Sequence, residues 1–310
     1  PDDRAGAKAA YQRATALDPT YPQALLGLAD QLRQESDFQG AYNAYNHASS
    51  EAPGSVAALV GRAASRLYFG DKEGAVADLD RAVAVAQPGS DRSRALMGIL
   101  YLHTYQRELP QGLDQAEEAV QMWNELGRTD MVVATINATA RVLLETGSAE
   151  SAEGWYDRGW QVVQSSTMKP EERTIWQGRW LHGKARCASA RRDSERADGH
   201  AAEARTLMAG DPANRDHYAW IGPYLDGYLA LAGRNYEEAI AAFQRSDLER
   251  AHIRALLADA YARNRDRDNA RVWYQRALEA ATGLDSESVI VRPIASKMTS
   301  VTISGGYFRP

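Results

Sequence analysis

The chain has very few cysteines and no excess of positive charge. Cys187 is the one cysteine among 310 residues, so neither an internal disulfide nor a paired-cysteine metal or redox site can form. The formal net charge is −5 and the isoelectric point is near 5.8. Binding to a nucleic-acid backbone requires a basic surface. We therefore expect no metal and no nucleic-acid partner.

Long apolar runs and catalytic motifs are missing as well. No stretch approaches the eighteen apolar residues of a membrane-spanning helix. Pro1 opens directly into helical sequence, so we expect no signal peptide. The motifs of dinucleotide, P-loop, zinc-protease and serine-hydrolase sites are absent. Cys187 lies in a helical run near arginines, and we interpret it as a packing residue. We expect no enzyme activity and no cofactor.

A repeat of 34 residues organises the first part of the chain. Each unit has a small residue, then a large residue four positions later, then a second small residue. These positions are occupied by Ala7, Ala41 and Ala75, by Tyr11, Tyr45 and Leu79, and by Ala14, Ala48 and Ala82. Pro19 and Pro53 end the first two units. Residues four and seven positions apart share one face of a helix. A second amphipathic segment precedes each of these helices, with a short turn containing Gly or Asp between the two. Each unit is therefore predicted to be a helical hairpin.

Several segments resemble the tetratricopeptide repeat (TPR) family. The clearest are Leu257-Ala258-Asp259-Ala260-Tyr261, similar to the first-helix signature, and Ala270-Arg271-Val272-Trp273-Tyr274 with Ala277, similar to the second. The resemblance covers residues 5 to 282 and implies an all-α fold, a right-handed α-solenoid of about seven helical hairpins. The middle units are longer than 34 residues. The chain opens inside a second helix, so we expect the first repeat to be incomplete and more chain to precede Pro1.

The sequence after the last repeat has no helical period. We predict a TPR-like solenoid over residues 1–284 and a non-helical tail over residues 285–310. Ser288-Val289-Ile290-Val291 and Ser300-Val301-Thr302-Ile303 favour strands, and a glycine turn follows. Two alternatives remain open: the tail lies on the solenoid, or it begins a further domain.

The resemblance implies that the first helices line the inner groove of the solenoid. Counting from the small residue at the eighth place, the second, fifth and ninth places should face that groove. In the middle units they combine arginine, histidine and tyrosine, and these are our candidate partner-binding residues: Asn137, Arg141, Arg179, His182, Arg186, Tyr224 and Tyr228. Arginine forks bind carboxylates and tyrosines offer rigid contact area. An acidic segment or a C-terminal carboxylate of a partner would suit this patch.

The favoured function is a protein–protein interaction scaffold or adaptor that holds a partner peptide or surface in the groove. Its setting is either a bacterial envelope or secretion assembly, or a cytoplasmic regulator whose repeats sense a partner. The compartment, bacterial periplasm or cytoplasm, stays open. The alternative is a small-molecule or glycan-binding module in which tyrosines and tryptophans are stacking platforms. Ion pairing of the arginines with acids of adjacent repeats, without a binding role, carries equal weight.

Overall fold

The computed structural model describes residues 4–291 and residue 295, and this part of the chain is almost entirely helical. The helices are α1 (Arg4–Leu17), α2 (Pro22–Gln34), α3 (Phe38–Glu51), α4 (Val56–Phe69), α5 (Lys72–Val85), α6 (Ser90–Gln106), α7 (Leu113–Glu125), α8 (Thr129–Glu145), α9 (Ala149–Ser165), α10 (Pro170–Ala190), α11 (Ser194–Ala209), α12 (Arg215–Tyr218), α13 (Ile221–Ala232), α14 (Tyr236–Gln244), α15 (Ala251–Arg263) and α16 (Arg267–Ala280). No strand occurs among the described residues. The all-α fold predicted from the repeat is confirmed.

The helices divide into two units. Among the described residues, the first contains residues 4–122 together with Thr282–Asp285, and the second contains Trp123–Ala281, residues 286–291 and residue 295. In chain order, α1 is followed by seven pairs of helices, with the one-turn helix α12 as an insertion before the sixth pair. This order is the unpaired helix and seven hairpins that the sequence predicts.

Packing in the first unit explains the 34-residue period. The large residue of each second helix lies against a glycine of the next first helix. A Cβ atom at Gly61 would come within 2.3 Å of the Tyr45 ring, and one at Gly27 equally close to the Tyr11 ring. Tyr45 is fully buried, as are the alanines that flank it. The repeat therefore preserves a close approach between helices, which only a residue without a side chain permits.

This close approach gives a test of the packing. We expect Gly61→Ala to lower the free energy of unfolding by about 1–3 kcal/mol, because the buried Tyr45 ring has no room to move. Gly154, exposed within α9, has nothing within 4 Å of its Cβ position, so Gly154→Ala should stabilise by about 0.5–1 kcal/mol. Urea unfolding measures both changes. Equal effects of the two substitutions would contradict the assigned packing.

Four of the seven hairpin turns have a common construction. In these turns a residue in the left-handed conformation follows the first helix, and an aspartate then caps the second. Gly70 has φ of 97°, and the Asp71 side chain accepts a hydrogen bond from the Gly74 amide. Ser36 with Asp37, Arg192 with Asp193 and Arg265 with Asp266 repeat the arrangement. The cap satisfies a backbone donor that the helix itself leaves unpaired.

The start of the predicted non-helical tail is helical, which corrects the sequence analysis. Residues 286–291 form a short helix, called here the C-terminal helical segment. Val289, Ile290 and Val291 are fully buried, and Val291 belongs to the hydrophobic cluster of α15 and α16. This burial outweighs the preference of β-branched residues for strands. The other predicted strand, residues 300–303, lies outside the described residues.

Candidate partner-binding site

A cavity of about 300 Å³ lies in the second unit. We call it the arginine–histidine cavity after the side chains that dominate its walls. It is lined by Ala134, Asn137, Ala138, Arg141, Tyr156, Arg179, His182, Arg186, Trp220, Ile221, Tyr224, Arg250, His252 and Ser286. Its size is at the lower end of the range for ligand sites in proteins, which suits one or two side chains rather than a long polymer.

Helical periodicity brings these side chains to one place. Arg179, His182 and Arg186 are three and four residues apart on α10, so they share one face of that helix. Asn137 and Arg141 are related in the same way on α8. The Asn137 amide donates to the Val133 carbonyl of its own helix at 2.9 Å, which fixes its orientation. The first helices of neighbouring hairpins thus contribute the same face to a common site.

Arg186 is the most deeply held cation of the cavity. Its Nη1 atom donates to Glu145 Oε1 at 2.6 Å and to the Tyr224 hydroxyl at 2.6 Å, and Nη2 donates to the Tyr156 hydroxyl at 3.1 Å. The guanidinium also lies 5.3 Å from the Tyr224 ring centre and 5.4 Å from that of Tyr228. Arg186 is only 3 % exposed, so its role is to hold the walls of the cavity together.

Electrostatics keep this buried cluster charged at the arginine and neutral at the tyrosines. Burial disfavours the charge of Arg186, but Tyr224, Tyr156 and Glu145 outweigh burial and raise its pKa. Burial likewise raises the pKa of Tyr224 far above its ordinary value. The Glu145 side chain is 6 % exposed and pairs with Arg186. An ion pair in such surroundings is costly to break from either side.

Arg141 and Arg179 have donors to spare. Arg141 Nη1 lies 3.6 Å from Glu287 Oε1, whereas Arg141 Nη2 is buried without a hydrogen-bond partner. Arg179 is exposed, its guanidinium lies 4.6 Å from the ring centre of Trp176, and among the described residues it has no carboxylate partner. Arg141 Nη2 and the Arg179 guanidinium are therefore the donors of the cavity that no carboxylate of the described residues pairs with, and such donors suit an anionic group.

Two buried histidines complete the walls. His182 and His252 lie 5.0 Å and 5.3 Å from the Tyr224 ring, centre to centre, on α10 and α15. His182 Nε2 and both ring nitrogens of His252 lack hydrogen-bond partners in the described part of the chain. Burial, followed by the nearby Arg141, lowers the pKa of His252 to about 3. Burial, followed by Arg186 and Arg141, lowers the pKa of His182 well below its ordinary value, so both are neutral at pH 7.

The C-terminal helical segment closes one side of the cavity. Ser286 lines it, and Glu287 Oε1 lies 2.8 Å from Arg250 Nη1 and 3.6 Å from His252 Nδ1. Burial disfavours the charge of Glu287, but its contacts with His252, Arg141 and Arg250 outweigh burial and lower its pKa. Since Val289, Ile290 and Val291 are buried, this carboxylate is a fixed part of the site.

The structure places six of the seven candidate residues on the cavity wall: Asn137, Arg141, Arg179, His182, Arg186 and Tyr224. Tyr228 lies behind the wall, edge-on to Tyr224 with ring centres 6.4 Å apart. Five parts of the wall are not predicted by the sequence pattern: Tyr156, Trp220, Arg250, His252 and the C-terminal helical segment. The rule that the second place of a first helix faces the groove, applied to α15, identifies His252. Tyr156 lies on α9, the second helix of its hairpin, and the rule covers first helices alone.

The other chemical candidates from the sequence are structural. Cys187 is fully buried, and burial raises the pKa of its thiol to about 11. Trp160 stacks on Trp180 at 5.3 Å, and the Trp180 indole donates to Asp157. Within residues 4–291, no group of three or more His, Cys, Asp and Glu side chains could hold a metal ion. The helices described here include none long and apolar enough to cross a membrane.

The fold and the cavity define an α-helical repeat protein whose first helices contribute arginine and histidine side chains to the wall of one cavity. Residues 251–282, comprising α15, α16 and the turn after them, match the family model described as tetratricopeptide repeat. This match confirms the resemblance to the tetratricopeptide repeat superfamily predicted from the sequence. A comparison with proteins of curated function finds no match.

Solved structures of similar shape are distant in sequence. BtubC from P. vanneervenii is 14% identical with a TM-score of 0.49, covering 67% of this chain and 89% of its own. A tetratricopeptide repeat protein from Parabacteroides merdae is 15% identical with a TM-score of 0.40, covering 97% and 93%. A signal-transduction ATPase with a tetratricopeptide repeat sensor from Pyrococcus horikoshii is 12% identical with a TM-score of 0.42, covering 99% and 50%.

Proposed function

We propose that this protein is a non-catalytic interaction module that holds an acidic segment of a protein partner in the arginine–histidine cavity. The tetratricopeptide repeat fold supports an interaction scaffold in general. The observation that supports an acidic partner is the Arg141 Nη2 atom, which is buried without a hydrogen-bond partner, together with Arg179, which has no carboxylate partner among the described residues. A carboxylate accepts two parallel hydrogen bonds from a guanidinium and so fits such donors.

The aromatic side chains of the cavity favour this function over glycan binding. A sugar needs an open ring face on which to stack. The Arg250 guanidinium lies 4.1 Å from the centre of the Trp220 ring, and Tyr224 is surrounded by Arg186, His182 and His252. Polar neighbours therefore already cover these ring faces. We infer that the aromatic rings orient the arginine side chains and that the arginines bind the acidic segment.

The test is capture of partners from a lysate of the organism that encodes the chain, followed by mass spectrometry. The cavity variant is Arg141→Gln with Arg179→Gln. Arg186 is left unchanged because its loss would disturb the fold. The control variant, Arg128→Gln with Arg271→Gln, removes the same charge from exposed arginines that pair with Asp130 and Asp268.

We expect one partner to be held by the native protein and the control variant and lost by the cavity variant. Each lost charge-assisted hydrogen bond should cost about 1.5–3 kcal/mol, which is at least tenfold in affinity. The partner retained would also distinguish an envelope or secretion assembly from a cytoplasmic regulatory pathway. Capture of the same proteins by all three forms would contradict the proposed site.

A further inference from the structure

The protonation state of His252 affects how the cavity binds an acidic segment, and this inference rests on the proposed function. His252 is 1 % exposed and lines the cavity, yet neither ring nitrogen has a hydrogen-bond partner among the described residues. A neutral imidazole carries one N–H donor and one bare acceptor nitrogen. Which nitrogen carries the proton is set by the group that each one faces.

Glu287 sets the tautomer of His252. Its Oε1 atom lies 3.6 Å from Nδ1, and a carboxylate only accepts hydrogen bonds. The proton of the neutral ring therefore belongs on Nδ1, which leaves Nε2 as a bare acceptor. A carboxylate arriving at Nε2 would set two acceptors against each other. That contact becomes favourable only when a proton lies between them.

The surroundings of His252 explain why its ring is neutral when no partner carboxylate is bound. The charged and titratable groups facing the ring come from four elements: Arg141 of α8, His182 and Arg186 of α10, Tyr224 of α13, and Glu287 of the C-terminal helical segment. Burial and the two arginines outweigh the one carboxylate and hold the pKa near 3. A second carboxylate within about 4–6 Å of a histidine typically raises the histidine pKa by about one to three units. For His252 this would bring the pKa to about 6 at most.

We infer that the cavity receives a carboxylate side chain of the partner together with one proton, which is shared with His252, so that the site binds more tightly in acidic surroundings. The proton comes from solvent, and no covalent bond forms or breaks other than the N–H or O–H bond that holds it. Glu145 and Glu287 remain paired with their arginines throughout.

The measurement is calorimetric titration of the native protein with the capped peptide acetyl-Ala-Glu-Ala-amide, between pH 7 and pH 5. Two buffers of different ionisation enthalpy give the number of protons taken up. With a bound pKa of at most about 6, affinity should rise by up to about tenfold from pH 7 to pH 5, and binding should take up as much as one proton. The matched acetyl-Ala-Gln-Ala-amide should show neither effect, because its amide supplies its own N–H donors.

A second measurement follows the histidine ring signals by NMR in the same native protein. The His252 signal is assigned with His252→Asn, and His47→Asn, at an exposed position in the first unit, serves as the control. Without peptide, the His252 ring should stay neutral from pH 8 to pH 5. With the Glu peptide it should titrate in that range.

The outcomes separate this inference from the proposed function. Glu-peptide binding that is independent of pH and takes up no proton would overturn the inference and leave the acidic-partner site standing. A His252 ring that titrates above pH 6 without peptide would overturn it too. Failure of the Glu peptide to bind, together with unchanged partner capture by the Arg141→Gln, Arg179→Gln variant, would overturn both.

Discussion

Arg186→Met should lower the free energy of unfolding by about 3–5 kcal/mol, the largest effect we expect from one substitution at the site. The substitution leaves Glu145 as an unpaired carboxylate whose side chain is 6 % exposed. It also removes the donor that joins the hydroxyls of Tyr156 and Tyr224. Urea unfolding followed by circular dichroism measures the loss.

Two further variants identify the cause of that loss. Adding Glu145→Leu to Arg186→Met removes the stranded charge, so the double variant should regain much of the lost stability. Arg205→Met breaks an exposed pair with Asp226 and should cost at most about 1 kcal/mol. A double variant less stable than Arg186→Met alone would contradict the buried-pair explanation, as would a small effect of Arg186→Met.

Acid should destabilise the protein well above the pH at which its carboxylates titrate, which is the second large effect. His252 has an ordinary pKa of 6.5 and a pKa of about 3 in the fold. A histidine whose pKa is lowered by folding stabilises the fold above pH 6.5, and this stabilisation is lost as the pH falls toward 3. At about 1.36 kcal/mol per unit, the loss by pH 4 is on the order of 3 kcal/mol.

Glu287 contributes a second loss of stability, which begins at a lower pH than the loss from His252. The pKa of Glu287 is lowered in the fold, so its stabilisation is present above its ordinary pKa of 4.5 and is lost below that value. His252→Asn should flatten the decline between pH 6.5 and pH 4.5 and also reduce the later part, because His252 is one of the contacts that lower the pKa of Glu287. His47→Asn should change neither part, since His47 is exposed. A native stability that is constant from pH 7 to pH 4.5 would show that His252 is not held neutral by the fold.

The sequence was sufficient to predict the hairpins and six of the fourteen residues that line the cavity, because both depend on helical periodicity. The spacing of Ala41 and Ala75 predicted the packing face, and both are fully buried. The second, fifth and ninth places of the first helices predicted Arg141, His182 and Arg186, all of which line the cavity. Side chains on one helical face must point the same way, whatever the details of packing.

What the sequence did not provide depends on contacts between distant segments. The C-terminal helical segment reads as a strand locally and is helical because Val291 is buried with α15 and α16. Glu287 reaches Arg141 and Arg250 from that segment, which no local pattern reveals. The sequence also could not show that Arg186 is already paired whereas Arg179 is not. That distinction determines which arginines are available to a ligand.

The most direct test of the cavity as an acidic-segment receptor is selection from a random peptide library on the immobilised protein. The native protein and the Arg128→Gln, Arg271→Gln control should enrich peptides containing Asp or Glu. The Arg141→Gln, Arg179→Gln variant, folded by circular dichroism, should lose that enrichment. Equal enrichment by all three proteins, or enrichment of peptides without acidic residues, would contradict the account.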